Sequence, residues 1–291
     1  MNRKHFLKNA SILSAGALLL HDQALALHQK NYTVQDIINI LIAEAKGVRL
    51  PTTVDTIKFG KADAPVTGIV TTMFPTVEVI KQAASLKANL IVVHEPTYFN
   101  GDDKKNLIAN NSVISDKDAL MEKEGITIFR YHDYCHRINP DAITYGLLRK
   151  LGWLEYYKNG KFVFDIPTME LKQLAKHCKK SLSLKMLRYI GSDAHACTKI
   201  AIMPGAWGSA AHMSTIEKEQ PDVLIIGEGI EWETIEYIRD GLALQHKTAL
   251  VVLGHSVSEE PGMEWVSEWL QKKVPELKVT HIASKDPFTW L

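Results

Sequence analysis

Apolar and polar positions along this chain switch between a strand period and a helix period, and the switching itself repeats. Val66-Thr67-Gly68-Ile69-Val70-Thr71 predicts a strand, residues 76–88 carry Val79, Ile80, Ala83, Ala84 and Leu86 at helical spacing, and Asn89-Leu90-Ile91-Val92-Val93 is a buried run ending in His94-Glu95-Pro96. The same order returns further on. Lys199-Ile200-Ala201-Ile202-Met203 leads into a turn with Gly205 and Gly208, a helix over 209–219, and Asp222-Val223-Leu224-Ile225-Ile226 ending in Gly227-Glu228-Gly229. Each copy is followed by another helix and another apolar strand: Ile126-Thr127-Ile128-Phe129 before His132, and Ala249-Leu250-Val251-Val252-Leu253 before His255. Continuous apolar runs too short for helices predict parallel strands covered by helices on both faces. The expected fold is therefore α/β, with two similar, pseudo-repeated lobes whose mostly parallel sheets are flanked by helices. Lobe one is expected over about 33–152 and lobe two over about 198–291, with a short connector between them.

The first 26 residues follow a different pattern. Arg3, Lys4 and Lys8 form a positive start, residues 12–20 are a short apolar run, and Ala24-Leu25-Ala26 offers a small-residue cleavage site. The apolar run is far below the roughly 20 residues that span a bilayer, so an export signal is expected rather than an anchor. Asn2-Arg3-Lys4-His5-Phe6-Leu7-Lys8 resembles the twin-arginine pattern with Lys in place of the second Arg, which leaves the general secretory route open. The expected mature chain is 27–291, exported and periplasmic.

Composition narrows the function classes. With 34 Lys and Arg against 33 Asp and Glu, the chain has neither a basic footprint for nucleic acid nor an acidic tail. A hydrophobic content of 46% and a mean hydropathy of −0.09 exclude wholesale disorder and a polytopic membrane protein. No nucleic-acid partner is expected, and no membrane association after signal removal. Cys135, Cys178 and Cys197 are not at CxxC spacing, so neither a zinc ribbon nor a disulfide framework is indicated, although one pair could close in an oxidising compartment.

The candidate chemistry lies at the strand ends, where open α/β sheets bind ligands. His94 and Glu95, His132 and His136, Glu228, and His255 and Glu259 occupy four such ends. His132-xxx-His136 and His255-xxx-Glu259 each place two donors one helical turn apart on one face. One such pair alone is ordinarily a solvated face; the set at equivalent places in two lobes points to metal. Imidazole and carboxylate donors suit zinc, iron, manganese or nickel, with room for two divalent ions, and the chemistry implied is metal-assisted hydrolysis. The other histidines (His28, His177, His195, His212, His246 and His281) lack a partner pattern and read as structural. Trp265, Trp269 and Trp290 read as core or subunit interface. Gly254-His255-Ser256-Val257-Ser258 sits where a nucleophile elbow would, but its fifth position is Ser, and His281 precedes Asp286, the reverse of the order that such a triad needs. Gly205-Ala206-Trp207-Gly208 lacks the Lys-Ser/Thr of a P-loop and reads as a tight turn.

Over about residues 33–291 the chain resembles the NIF-three-like family, often labelled GTP cyclohydrolase type two homologues. Asn89 to Phe99 is similar to that family's strand ending in two adjacent histidines and a proline, and Ile143 to Gly152 to its helix ending in Leu-Gly. Ile225 to Glu228 resembles its Thr-Gly-Asp/Glu segment apart from the Thr, and Gly254 to Glu259 its final Gly-His-x-x-(Ser/Thr)-Glu. The resemblance implies a dinuclear metal site, a ring of six copies, and His94, His255 and Glu259 as ligands. It also shows two departures: Glu95 stands where the family usually has a second His, and His136 where it usually has Asp, four residues after His132. The exchange keeps the donor count, so Glu95 and His136 join the expected ligand set. His132 and Glu228 are expected to orient ligands or carry protons. Two functions are open on these residues: an exported dimetal hydrolase of a small phosphorylated or nucleotide-like substrate, or a non-enzymatic metal-binding or metal-delivery protein. A structural ring stapled by its metals is a third.

Overall fold

Each apolar repeat forms the centre of a five-stranded sheet in the computed structural model, which describes residues 31–158 and 160–291. The expected export signal lies outside the described residues. The first sheet has the order β1 (Ile57–Phe59), β4 (Thr127–Arg130), β3 (Leu90–Val93), β2 (Ile69–Thr72) and β10 (Val279–His281). All its pairs are parallel except β1 with β4. In the second sheet the order is β5 (Val163–Glu170), β7 (Ala196–Met203), β8 (Val223–Ile226), β9 (Ala249–Val252) and β6 (Arg188–Ile190). Its inner pairs are parallel and both edge strands are antiparallel.

The continuous apolar runs are explained by helices on both faces. In β3, Leu90 and Val92 face α1 (Val34–Ala43) and α8 (His255–Lys273), while Ile91 and Val93 face α2 (Val77–Ser85) and α3 (Ser112–Lys123). The pleat turns alternate side chains to opposite faces, so only a run apolar at every position satisfies both layers. The second sheet repeats this arrangement: Val223 and Ile225 pack toward α4 (Ala142–Leu151) and α5 (Leu171–Ser181), Leu224 and Ile226 toward α6 (Ser209–Glu219) and α7 (Glu236–Ala243). Caps set the helix starts. Thr76 accepts from the Val79 N–H ahead of α2, and Asp141 from Thr144 ahead of α4, which stops at Gly152 with φ 72°.

Two features depart from the linear division into lobes. The stretch expected as a connector supplies β5, α5 and β6 to the second sheet, and the last strand, β10, returns to the first sheet beside β2. β10 is a three-residue strand reading Val-Thr-His, and no continuous apolar run marks where it belongs. The return is made by α8, which starts at the end of β9 and then buries Met263, Val266 and Leu270 in the first core. It crosses α4 at glycines: a Cβ on Gly146 would lie 2.3 Å from Pro261 O, and one on Gly262 2.5 Å from Ile143 Cα. This close crossing fixes the start of α8 against the first lobe. Among the described residues no helix is long and apolar enough to cross a membrane. Cys135, Cys178 and Cys197 are buried free thiols. Trp265 and Trp269 pack on the first core, whereas Trp290 is exposed.

Candidate metal centre

Three chain segments converge between the lobes. His94 and Glu95 extend β3: His94 N donates to Thr72 O at 3.1 Å and Glu95 N to Met73 O at 2.9 Å before Pro96 turns the chain away. The segment after β4 is held by one buried carboxylate, Asp55, whose oxygens accept from the N–H groups of His132, Asp133 and Tyr134 at 2.8–2.9 Å. Burial pushes the Asp55 carboxyl up, and these donors pull it back only in part. A short turn then carries His136 N to His132 O, so both imidazoles face one side. From the second lobe, Gly254 at φ 102° turns β9 into α8, and His255 and Glu259 follow one helical turn apart. Gly205 lies against Glu259 so closely that a Cβ there would be 2.0 Å from Oε1.

The histidines form a cluster in which His94 and His132 stack and His136 meets both edge-on. Ring centroids of His94, His132 and His136 lie 4.6–5.1 Å apart. Each Nδ1 is engaged: His94 with Tyr131 O at 3.2 Å, His132 with Asp133 Oδ1 at 3.0 Å, His136 with Asp141 Oδ2 at 2.8 Å. Burial, with His136 and His132 close by, holds the His94 imidazole well below its usual range, so it is neutral. Burial acts the same way on His136, but Asp141 outweighs it and raises the pKa.

The other half of the site is rich in carboxylate. Glu95 Oε2 is 3.3 Å from Arg130 Nη2, and its Oε1 is 3.2 Å from His255 Nε2. His255 also lies 3.2 Å from Glu259 Oε2 and, through Nδ1, 3.2 Å from the exposed Glu228. Burial disfavours the imidazolium, yet Glu228, Glu259 and Glu95 together push the His255 pKa up to about 12. Burial works against Glu95 too, but His255, His132 and Arg130 leave its carboxyl below the usual range, and His255 does the same for Glu228.

A pH dependence follows for chelator-treated protein. The stability contributed by the His255 imidazolium is complete below its ordinary value of 6.5 and is lost as pH climbs toward 12. That of the two glutamates is present above their ordinary 4.5 and is lost as pH falls through their lowered values. Thermal melts from pH 3 to 10 are expected to peak between about 4.5 and 6.5. A midpoint that rises steadily above 6.5 would rule out the half-buried His255 imidazolium.

The residues present fit a metal. His94 Nε2 is buried without a hydrogen-bond partner and faces Glu259 Oε2 at 3.7 Å, whose nearest cationic neighbour is His255 Nε2 at 3.2 Å. Two donor groups, His94-His132-His136 and His94-Glu95-Glu259, each bring one ligand atom per residue to within 4.8 Å of the others. A sequence profile described as Duf34/NIF3 (NGG1p interacting factor 3) matches residues 33–287. The chain belongs to this family. A curated relative from Clostridium perfringens, named GTP cyclohydrolase 1 type 2 homolog, is 26% identical over 278 residues, covering 89% of this chain and 99% of the relative. A homologue of the same name from Clostridium acetobutylicum is 23% identical over 73% of this chain and 79% of its own length. In fold, this NIF3-family chain is similar to the crystal structure of a Bacillus cereus protein related to NIF3, with TM-score 0.71 and 18% identity over 90% of this chain and all of that one. Staphylococcus aureus protein SA1388 gives TM-score 0.70 at 18% identity, over 89% of this chain and 99% of that one.

All seven residues singled out in the sequence lie in this cluster, with Glu228 at its exposed edge. Ser256 is not part of a triad, since His281 is engaged by Thr71 and Glu260. His177 and His195 bond to backbone carbonyls, as structural residues would. The sequence reading missed four charged groups. Asp133 and Asp141 lie next to or shortly after their histidines and could have been found as acceptors in local spacing. Arg130 and Asp55 carry no such signal, because their partners are 35 and 77 residues away.

Proposed function

We propose that this chain is an exported, dinuclear-metal hydrolase of a small phosphorylated or nucleotide-like compound, with His94, Glu95, His136, His255 and Glu259 holding two divalent ions. The observation that carries it is the buried His94 Nε2, which has no hydrogen-bond partner and faces the buried Glu259 carboxylate 3.7 Å away. Desolvating such a nitrogen without a partner costs about 1–3 kcal/mol, which a bound cation removes. When bound, divalent ions supply Lewis acidity that makes a water molecule acidic near neutral pH and neutralises an oxyanion. Around that chemistry the chain has its own tasks. Glu228, ionised and exposed, accepts from His255 Nδ1 at the mouth of the site and so turns His255 Nε2 toward Glu95 and Glu259. Asp133 and Asp141 hold imidazole orientation through Nδ1. The relatives named for GTP cyclohydrolase support the substrate class.

The test is elemental analysis of protein purified from its native compartment, followed by phosphatase, nucleotidase and cyclohydrolase assays with the metal found. Turnover by the wild type that is lost in Glu228→Gln supports the hydrolase. Ions that exchange freely with no turnover of any substrate favour metal delivery. A ring of six copies and periplasmic export with a mature end near Leu27 belong to the same proposal; a 30-kDa species in light scattering, or an intact Met1 in extract, would remove each in turn.

A further inference from the structure

His132 is absent from the ligand set of the proposed function, yet its ring engages Nδ1 as those of His94 and His136 do. Each of the three rings spends Nδ1 on a fixed acceptor, Tyr131 O, Asp133 or Asp141. With Nδ1 donating, Nε2 carries the lone pair, and one nitrogen from each ring lies within 4.8 Å of the other two. An outer acceptor on every ring of a converging set is what fixes imidazoles as metal donors. His132 Nε2 has no strong competing partner, since Glu95 Oε1 is 3.8 Å away and is closer to His255 at 3.2 Å. By contrast, Glu95 has both oxygens committed, to Arg130 and to His255.

We infer that His132 is a direct ligand, so that the site is unequal: a three-imidazole position formed by His94, His132 and His136, and a carboxylate-lined position around Glu95, His255 and Glu259. The inference rests on the metal-binding part of the proposed function. His94 has a single free nitrogen and can serve only one position; the imidazole cluster claims it, because the alternative group already has its charge matched by Arg130. A neutral set of three nitrogens favours zinc, cobalt or nickel over manganese or magnesium, which prefer oxygen. The first ion is therefore held tightly among the histidines. The second, next to the Arg130 guanidinium, is held weakly and exchanges.

The experiment titrates cobalt(II) and zinc into chelator-treated protein, reading ions retained per chain and the visible spectrum of the cobalt form. His132→Asn keeps an amide N–H where Nδ1 donates to Asp133 but removes Nε2. It is expected to bind the first ion at least about 100-fold more weakly and to change the cobalt spectrum, with a normal far-UV circular dichroism spectrum. His132→Gln, which places an amide near the Nε2 position, is expected to lose less. His195→Ala, whose ring bonds to Asp222 O, should match the wild type. Wild-type affinity and spectrum in His132→Asn, or a larger loss in His132→Gln than in His132→Asn, would overturn the assignment and leave the dimetal reading standing. A wild type that retains no ion under any condition would overturn both. Should His132→Asn fail to fold, the comparison of His132→Gln with the wild type decides: an unchanged cobalt spectrum counts against a ligand role.

Discussion

Glu259→Ala is expected to empty the carboxylate half of the centre while leaving the fold intact. The Glu259 side chain is 5% exposed and stands between His94 Nε2 and His255 Nε2, at 3.7 and 3.2 Å. Alanine favours the helix, and His255 keeps Glu95 and Glu228 as partners, so the metal-free variant should unfold close to the wild type. What disappears is linkage. Metal at 100 times its dissociation constant stabilises a protein by about 2.7 kcal/mol, which in a chain of this size raises the midpoint by roughly 5–10 °C. Wild type should show such a shift on adding zinc, and Glu259→Ala should lose the share that comes from the carboxylate-lined position, with retained metal falling from two ions toward the one held by the histidines. Full metal content in the variant would mean that Glu259 is a buried spectator.

Arg130→Met is the second large effect, and it acts on the fold. The Arg130 side chain, 4% exposed, lies 3.3 Å from both Glu95 and Asp103, and its Nε donates to His94 O. Removing one member of a buried charge network leaves the others uncompensated, at a cost of about 3–5 kcal/mol. That corresponds to a fall of roughly 6–20 °C in the midpoint. Methionine keeps the apolar stem, so the loss reports charge rather than volume. The exposed pair Arg188–Glu231 supplies the control, because such pairs are worth about 1 kcal/mol or less. An Arg130→Met midpoint no lower than that of Arg188→Met would show that Glu95 and Asp103 are held by other means. Since Glu95 would then face the ions without its guanidinium, the variant should also bind the second ion more tightly than wild type.

Much of the centre was legible because its donors are arranged by local rules. A strand buried on both faces must be apolar at every position, so β3 and β8 stand out as Leu90-Ile91-Val92-Val93 and Val223-Leu224-Ile225-Ile226, and the first polar residues after them mark the ligand edge. The spacings His132-xxx-His136 and His255-xxx-Glu259 each describe one turn of chain, and both turns formed. Fold class and the candidate site therefore follow from patterns no longer than about 30 residues.

What required tertiary structure is everything set by distant partners. β10 joins the first sheet through α8, although its three residues carry no pattern that names β2 as neighbour. Gly146 and Gly262 look ordinary in sequence and become necessary only where α4 and α8 cross. Asp55 orients His132 from 77 residues away, and Arg130 neutralises Glu95 across two adjacent strands. The same holds for the proposed inequality of two metal positions. Sequence supplies the number and type of donors. Which nitrogen is free, and which carboxylate is already paired, depends on contacts that exist only once both lobes are packed, because a lone pair or a charge is available to a metal only if nothing else in the folded chain has claimed it.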